Sequence, residues 1–296
     1  MKNESISPHN GVTQHIDILK VDAEGITETQ DTVVDEHPLH VTVDGTPIAT
    51  LMCLPEALEA LVRGFLISEG LAKSGEDIRR ISIDGANAEA AVELANADEL
   101  PLELYGRRTV FSGCGSPPLF PRLLDSLRSK PLAPSPHPLP VPSLFAAMRE
   151  LQQRSRLFAE TGGVHAAAVY YNGGILFFRE DVGRHNAVDK VAGELAASDT
   201  PREECALLCS GRISTDLVTK AAAHRIPVIA SRSAPTHRAV EIARATDIGL
   251  AGFVRGSRMN IYSGSGRFET PPARETPPAR ETPPERKEPP QPESSE

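Results

Sequence analysis

Cys114 lies in a sequence setting suited to thiol chemistry. It occupies the middle of the segment 112–116, Ser-Gly-Cys-Gly-Ser, directly before two prolines. Flanking glycines allow a mobile backbone and open access to the sulfur, which a group-transferring thiol requires. A thiolate can attack a persulfide donor and then carry the terminal sulfur. The pattern predicts a carrier thiol. A glycine-rich turn with an incidental cysteine is the alternative, and Arg107, Arg108, Arg184 and His185 are equal candidates for the activating cation.

The other three cysteines have a different setting. Cys53, Cys205 and Cys209 lie in apolar stretches, where a free cysteine behaves as a small buried hydrophobe. Their spacing to histidines does not match a structural zinc site. We therefore expect them in the core and predict no intrinsic metal.

Arginine recurs in four loops that follow predicted strands. Arg side chains grip phosphate with a planar fork, and glycine lets free N–H groups approach an anion. In open α/β sheets, ligands bind beyond the carboxyl ends of the strands. The loops together predict a site for a ligand with several phosphates, unless the arginines only pair with nearby carboxylates. They are 179–186 (Arg-Glu-Asp-Val-Gly-Arg-His-Asn), 210–214 (Ser-Gly-Arg-Ile-Ser), 232–236 (Arg-Ser-Ala-Pro-Thr) and 255–258 (Arg-Gly-Ser-Arg).

Composition narrows the class of protein. The formal net charge of −9 argues against nucleic-acid binding as the main activity. The sequence contains no run of about 18 apolar residues, so no membrane span is predicted. The N-terminus lacks the apolar region of a signal peptide. Four cysteines in 296 residues do not form a disulfide framework. These features favour a cytoplasmic protein. Without a dinucleotide fingerprint or P-loop lysine, nicotinamide and kinase functions are disfavoured.

Periodicity divides the chain into segments. We predict disorder over 1–15 and over the Pro-rich tail 264–296, which cannot bury enough apolar surface to fold. An α+β subdomain, 16–128, contains a helix from Pro55 to Gly70 and the Cys114 loop. A connector, 129–142, is rich in proline, which excludes helix and central strand.

The segment 143–263 alternates strands and helices, which indicates an α/β domain with a mostly parallel sheet. A helix is predicted over 143–158, and Asn172-Gly173 predicts a hairpin between strands 164–171 and 174–178. The remaining elements alternate regularly. They are helix 186–197, strand 205–209, helix 214–224, strand 227–231, helix 236–246 and strand 249–254.

Several segments together resemble the FdhD family, the formate dehydrogenase accessory sulfurtransferases. The longest and most specific match is 180–190, Glu-Asp-Val-Gly-Arg-His-Asn-Ala-Val-Asp-Lys. The others are 36–39 (Glu-His-Pro-Leu), 64–70 (Gly-Phe-Leu-Ile-Ser-Glu-Gly), 161–166 (Thr-Gly-Gly-Val-His-Ala), 210–212 (Ser-Gly-Arg), 231–235 (Ser-Arg-Ser-Ala-Pro) and 252–253 (Gly-Phe).

The resemblance implies a cytidine-deaminase-like three-layer sandwich for the second half. It also implies transfer of sulfur from a cysteine desulfurase to the molybdenum bis-guanine-dinucleotide cofactor of formate dehydrogenase, and a homodimer. The family's persulfide-bearing cysteine falls on Cys114. Its cofactor-binding segment falls on Phe253, Val254, Arg255, Gly256, Ser257 and Arg258.

The chain departs from the family at the thiol. Many members carry Cys-x-x-Cys, but here the segment 114–117 reads Cys-Gly-Ser-Pro, so a local disulfide is impossible. The zinc ligands of deaminases are also absent, because Ala166 and Ala167 follow His165 and no Pro-Cys-x-x-Cys occurs. A sulfurtransferase is therefore the leading hypothesis. A non-catalytic chaperone for the molybdenum cofactor is the alternative, and a nucleotide hydrolase is disfavoured.

Overall fold

A five-stranded sheet organises the first half of the chain in a computed structural model that describes residues 11–95, 108–110, 131–134, 137–270 and 272. Its strand order is β5-β6-β3-β4-β7. The β3–β4 turn is Asp44-Gly45, whose positive φ values of 47° and 79° suit a tight hairpin. The strands are β3 (His37–Val43), β4 (Thr46–Cys53), β5 (Ile78–Asp84), β6 (Glu89–Leu94) and β7 (Arg108–Val110).

The predicted helix after Pro55 covers one face of this sheet. This helix, α1, runs from Leu58 to Ser68, and the residue before it, Ala57, is left-handed with φ 50°. Leu61, Phe65 and Leu66 on α1 are buried against alternate side chains of β3, β4 and β6. The apolar face of the helix and that of the sheet therefore pack together in one core.

A six-stranded sheet organises the second half, in the order β10-β9-β11-β12-β13-β14. Only β11–β12 and β12–β13 are parallel, and the other three pairs are antiparallel. The prediction of a mostly parallel sheet is therefore wrong, because tight turns such as the confirmed one at Asn172-Gly173 send the outer strands back antiparallel. The strands are β9 (His165–Tyr171), β10 (Gly174–Asp181), β11 (Ala206–Cys209), β12 (Val228–Ser231), β13 (Gly249–Arg255) and β14 (Arg258–Ser263).

Helices cover both faces of the six-stranded sheet. One face packs against α2 (Val141–Arg154) through Leu144, Met148 and Leu151. The other packs against α4 (Arg184–Ala196), α5 (Thr215–Ala223) and α6 (His237–Ala245). The predicted helix 143–158 is interrupted at Ser155, after which α3 (Arg156–Thr161) begins. Burial on both faces explains the continuous apolar runs of the central strands. The deaminase-like arrangement stays a prediction.

The two sheets are joined where α1 crosses α4. A Cβ on Gly64 would lie 1.9 Å from the Asp189 carbonyl oxygen, and one on Gly193 would lie 1.9 Å from that of Ala60. Only glycine allows the helix backbones to approach so closely. Helix α4 therefore packs against both halves of the molecule.

Both predicted disordered ends are wrong where they adjoin the folded chain. Strand β1 (Thr13–Asp22) begins inside the segment 1–15 and pairs with β2 (Gly25–Val34), and we call this hairpin the arm. At the other end, β15 (Phe268–Glu269) pairs with β8 (Leu139–Pro140). The first residues of the predicted tail are folded because Phe268 is buried and Arg267 forms hydrogen bonds with distant residues. The Arg267 guanidinium donates to the Asp247 carboxylate and to two carbonyls, those of Leu132 and Ala133.

The proline-rich connector also contains regular structure. Strand β8 and the first two residues of α2 fall within 129–142. Pro142 occupies the first turn of α2, where a missing N–H costs no intrahelical hydrogen bond. The exclusion of helix from this segment is therefore wrong at its last two residues.

Candidate functional site

A cavity of about 550 Å³ opens at the edge of the six-stranded sheet. Its polar wall combines His165 at the start of β9 with residues that follow or end β11, β12 and β13, namely Ser210, Arg232, Ser233 and Arg255. These are the carboxyl ends of the three parallel strands, as the loop pattern predicts. The opposite wall comes from α2 and α3 and is largely apolar. It contains Leu151, Gln152, Ser155, Phe158 and Ala159.

Two arginines make the polar wall cationic. Arg232 is half-buried and lies against the side-chain amide of Gln152. Arg255 is exposed, and its Nε donates to the carbonyl oxygen of Arg232 at 3.0 Å. This bond holds the Arg255 side chain against the backbone of Arg232, and both residues line the cavity. The pair can therefore bind a phosphate group through several donors.

Phe253 stands next to Arg255 in a strained conformation. Its φ of 53° is unusual for a bulky aromatic residue. The register of β13 shifts between Gly252 and Arg255, and the Phe253 N–H donates to the Ser233 carbonyl oxygen at 3.1 Å. The ring is 37% exposed, and the Arg255 guanidinium lies 5.7 Å from its centre. This bulge holds an aromatic face and a cation together at the sheet edge.

The structure separates the six residues predicted to bind the cofactor. Arg255 lines the cavity, and Phe253 lies beside it. Val254 is fully buried in the core under α2. Gly256, Ser257 and Arg258 are exposed at the β13–β14 turn and do not line this cavity.

His165 and Ser210 form an uncharged polar patch in the same cavity. The Ser210 Oγ accepts the Ala166 N–H at 3.0 Å and lies 3.4 Å from His165 Nδ1. Burial, and secondarily the nearby Arg184, lower the pKa of His165 below its usual value. The imidazole is therefore neutral at neutral pH and offers a hydrogen bond without a charge.

The turn that begins α4 contributes a further cation beside the cavity. Arg184 is its first residue, and its side chain packs over Gly211, where a Cβ would lie 3.2 Å from the Arg184 Cδ. The buried Nε of Arg184 has no acceptor among the described residues. His185 lies 3.3 Å from the Ser214 Oγ, and burial, followed by Lys220, lowers its pKa to about 3.

Asp181 and Asn186 belong to the first arginine-containing loop, 179–186, but do not line the cavity. Asp181 is fully buried and pairs with Lys190 at 2.7 Å. Asn186 is also buried and contacts the end of β4. Eight of the eleven residues of the most specific sequence motif, 180–190, are therefore buried in the interior. The helix wall containing Gln152 and Phe158 escaped prediction, because an amphipathic helix does not reveal which exposed residues border a cavity.

Cys114 lies outside the described residues, and the other cysteines are confirmed as buried. Burial raises the pKa of Cys53 to about 12, that of Cys205 to about 12 and that of Cys209 to about 11. These three are therefore protonated and unreactive at neutral pH. The described residues hold no cluster of His, Cys, Asp and Glu suited to a metal ion. Within the same part of the chain, no helix is long and apolar enough to cross a membrane.

The fold and the cavity define a mixed α/β protein with a half-apolar, arginine-lined site at the edge of its larger sheet. Residues 34–269 match the model of the FdhD/NarQ family, and the chain belongs to that family.

The relatives and a solved structure cover nearly the same part of the chain. The sulfur carrier protein FdhD of Listeria monocytogenes is 35% identical over 86% of this chain and 97% of its own length. That of Streptomyces coelicolor is 37% identical over 86% and 95%. A crystal structure from Desulfotalea psychrophila, described as a formate dehydrogenase accessory protein, superposes with a TM-score of 0.72. It is 27% identical and covers 87% of this chain and 99% of its own.

Proposed function

We propose that this protein is a cytoplasmic sulfurtransferase that serves formate dehydrogenase. It takes sulfur from a cysteine desulfurase as a persulfide on Cys114 and delivers it to the molybdenum bis-guanine-dinucleotide cofactor, which it binds as a substrate. The names of the relatives, sulfur carrier protein and formate dehydrogenase accessory protein, support a role in sulfur transfer for formate dehydrogenase. The cavity supports a nucleotide-bearing cofactor as the acceptor of the sulfur.

The single observation that carries the proposal is the pairing of two unlike walls in one cavity. Arg232 and Arg255 supply a cationic surface suited to pyrophosphate. Leu151 and Phe158 supply an apolar surface on which a flat heterocycle can lie. A nucleotide has this same division between charged and apolar parts. The guanine-nucleotide end of the cofactor therefore fits the site.

The uncharged residues of the polar wall orient the bound nucleotide. Neutral His165 and the Ser210 hydroxyl hydrogen-bond to acceptors without adding charge. Arg255 is held by the Arg232 carbonyl, so less side-chain freedom is lost on binding. The exposed ring of Phe253 offers a second stacking surface beside the same cation.

The chemical step assigned to Cys114 is nucleophilic attack by its thiolate on the terminal sulfur of the donor's persulfide. A sulfur–sulfur bond forms at Cys114 while the donor's sulfur–sulfur bond breaks, and the donor cysteine leaves as a thiolate with the electron pair. Cys114 lies four residues after Val110 in the sequence, so the Cα atoms of the two residues are at most about 14 Å apart. The other three thiols are buried and protonated, so they do not compete.

Mass spectrometry after incubation with a cysteine desulfurase and cysteine tests the carrier role. We expect the Cys114 peptide to gain the mass of one sulfur atom, and Cys114→Ala to abolish formate dehydrogenase activation. No added sulfur, together with full activation by Cys114→Ala, would favour the alternative, a cofactor chaperone that moves no sulfur.

Calorimetry with guanosine diphosphate tests the cavity. Arg255→Ala and Arg232→Ala should each weaken binding at least about tenfold, since each removes charge-assisted hydrogen bonds. Arg238→Ala, on the exposed surface of α6, is the matched control and should bind normally. Arg258→Ala tests the β13–β14 turn. Normal binding by that variant would remove the turn from the site, and normal binding by all three test variants, at Arg232, Arg255 and Arg258, would refute a nucleotide site here.

The proposal also includes a homodimer, and the arm is the surface that supports it. Four of the seven exposed large apolar side chains among the described residues lie on the arm, namely Ile16, Leu19, Val21 and Ile26. Among the residues that the structure describes, the two strands of the arm pair only with each other, and a two-stranded ribbon is marginally stable without cover. In sedimentation, Leu19→Lys with Val21→Lys should shift the protein toward monomer. An unchanged profile would exclude the arm from the dimer contact.

A further inference from the structure

Helix α3 carries part of the apolar wall of the cavity and is too short to hold its position alone. It has six residues, Arg156–Thr161, whereas isolated helices shorter than about 12 residues are marginal in water. One face is docked by Leu157, which is 3% exposed and packs in a cluster with Leu54 and Val182. Phe158, the next residue, is 52% exposed and lines the cavity. The place of Phe158 in the cavity therefore depends on what anchors the beginning of α3.

The residue that precedes α3 does not anchor it through its side chain. A serine at this position usually accepts a backbone N–H of the first helical turn with its hydroxyl oxygen. Ser155 forms no such hydrogen bond, and its hydroxyl donates instead to the Leu151 carbonyl oxygen of α2 at 2.8 Å. The N–H groups at the beginning of α3 therefore need an acceptor from another element.

Glu180, near the end of β10, supplies this acceptor. One of its carboxylate oxygens accepts the Leu157 N–H at 3.2 Å, and the other accepts the Phe158 N–H at 3.0 Å. A carboxylate also interacts favourably with the positive end of a helix. The two hydrogen bonds hold the residue that docks α3 and the residue that borders the cavity.

The strand that contains Glu180 belongs to the same sheet as the polar wall of the cavity. Glu180 stands opposite Ala166 on β9, and both Ala166 and its neighbour His165 line the cavity. The next residue, Asp181, faces the other way and accepts the Leu54 N–H, because successive side chains of a strand point to opposite faces. One side chain therefore connects the edge of the sheet to the helical wall of the cavity.

We propose that Glu180 is a positioning residue for the heterocycle of the bound nucleotide. By fixing the beginning of α3, it holds the Phe158 ring where a base can lie on it while the phosphates lie on Arg232 and Arg255. This inference rests on the proposed function. It predicts a sign that charge alone would reverse, since removal of a carboxylate reduces repulsion of the phosphates and would by itself strengthen binding.

A purely structural role for Glu180 is the competing explanation, and a second capping carboxylate in the chain offers the control. Asp77 Oδ2 accepts the N–H groups of Lys73 at 2.7 Å and of Ser74 at 3.3 Å, at the 3₁₀ turn Gly75–Asp77 before β5. This carboxylate also accepts two consecutive backbone N–H groups, but none of these residues lines the cavity. Asp77→Ala therefore removes a comparable cap outside the nucleotide site.

The test measures two ligands with each variant of the full chain. Calorimetry gives the affinity for guanosine diphosphate, and a phosphorus NMR titration gives that for inorganic pyrophosphate, which lacks the base. We expect Glu180→Ala to bind guanosine diphosphate at least about fivefold more weakly, as loss of a helix cap would allow, and pyrophosphate as the wild type does. Phe158→Ala should show the same pattern, and Asp77→Ala should bind both ligands normally. Glu180→Gln, which retains one acceptor oxygen, should be intermediate and replaces Glu180→Ala if that variant fails to fold.

Three results would overturn the inference. The first is wild-type affinity for guanosine diphosphate in the folded Glu180 variants or in Phe158→Ala. The second is an equal loss of affinity for both ligands in Glu180→Ala, and the third is an equal loss of nucleotide affinity in Asp77→Ala. Failure of the wild type to bind guanosine diphosphate or pyrophosphate would instead refute the nucleotide site of the proposed function, so the two failures are distinguishable.

Discussion

Individual side chains at the cavity supply either a positive charge or a neutral hydrogen-bonding group. Arg232 and Arg255 are cations, whereas His165 is held neutral by burial and by Arg184. A neutral donor beside two cations can bind the uncharged part of a nucleotide without adding repulsion between positive groups. The strained Phe253 extends the same surface.

The neutral state of His165 predicts how binding depends on pH. Burial lowers the pKa of His165 below its ordinary value, so the ring stays predominantly neutral from pH 8 down to 6.5. We expect the pH slope of guanosine diphosphate affinity in this range to be the same for the wild type and for His165→Asn, by calorimetry. A steeper slope in the wild type would show that His165 binds the nucleotide as a cation.

Among the elements, helices α1 and α4 depend on two glycines at their crossing. A methyl group at Gly64 or Gly193 would meet backbone oxygen at 1.9 Å, which no side-chain rotation relieves. We expect Gly64→Ala and Gly193→Ala each to lower the free energy of unfolding by about 3 kcal/mol, as strong overpacking does. Urea denaturation measures the change.

The control for this substitution is Gly85→Ala in the β5–β6 turn, where a Cβ would have no neighbour within 4 Å. It should leave the denaturation midpoint almost unchanged. Equal losses at Gly64 and Gly85 would show that close approach does not determine the effect, since helix propensity and chain entropy both favour alanine.

Local signals in the sequence predicted most elements but not their long-range partners. Asn172-Gly173 specified its hairpin, and apolar periodicity specified α5 and α6 within one residue at each end. The fold of 264–269 depends on Arg267 reaching carbonyls at 132 and 133, which no local pattern shows. Likewise, the arginine loops indicated the cavity's polar wall, while its apolar wall depends on how α2 and α3 dock.

At the scale of the whole molecule, buried histidines make the stability of the contact between the two halves depend on pH. The His224 Nε2 lies 3.2 Å from the Gly64 carbonyl oxygen and 3.3 Å from the Ser68 Oγ, at the α1–α4 crossing. The Ser68 proton is donated to Asp189, so both neighbours of this nitrogen act as acceptors. His224 therefore carries its proton on Nε2 and stays neutral.

Burial lowers the pKa of His224 to about 3, and that of His185 likewise to about 3, against 6.5 in the unfolded chain. Between these values the unfolded chain binds more protons than the folded chain, so stability falls as pH falls. From pH 6.5 to pH 5, each histidine should cost about 2 kcal/mol. Urea denaturation at a series of pH values should show this loss. The variant His224→Gln can keep a donor toward the Gly64 carbonyl, so its free energy of unfolding should depend on pH about half as steeply. An unchanged slope in that variant would show that His224 is not the group responsible.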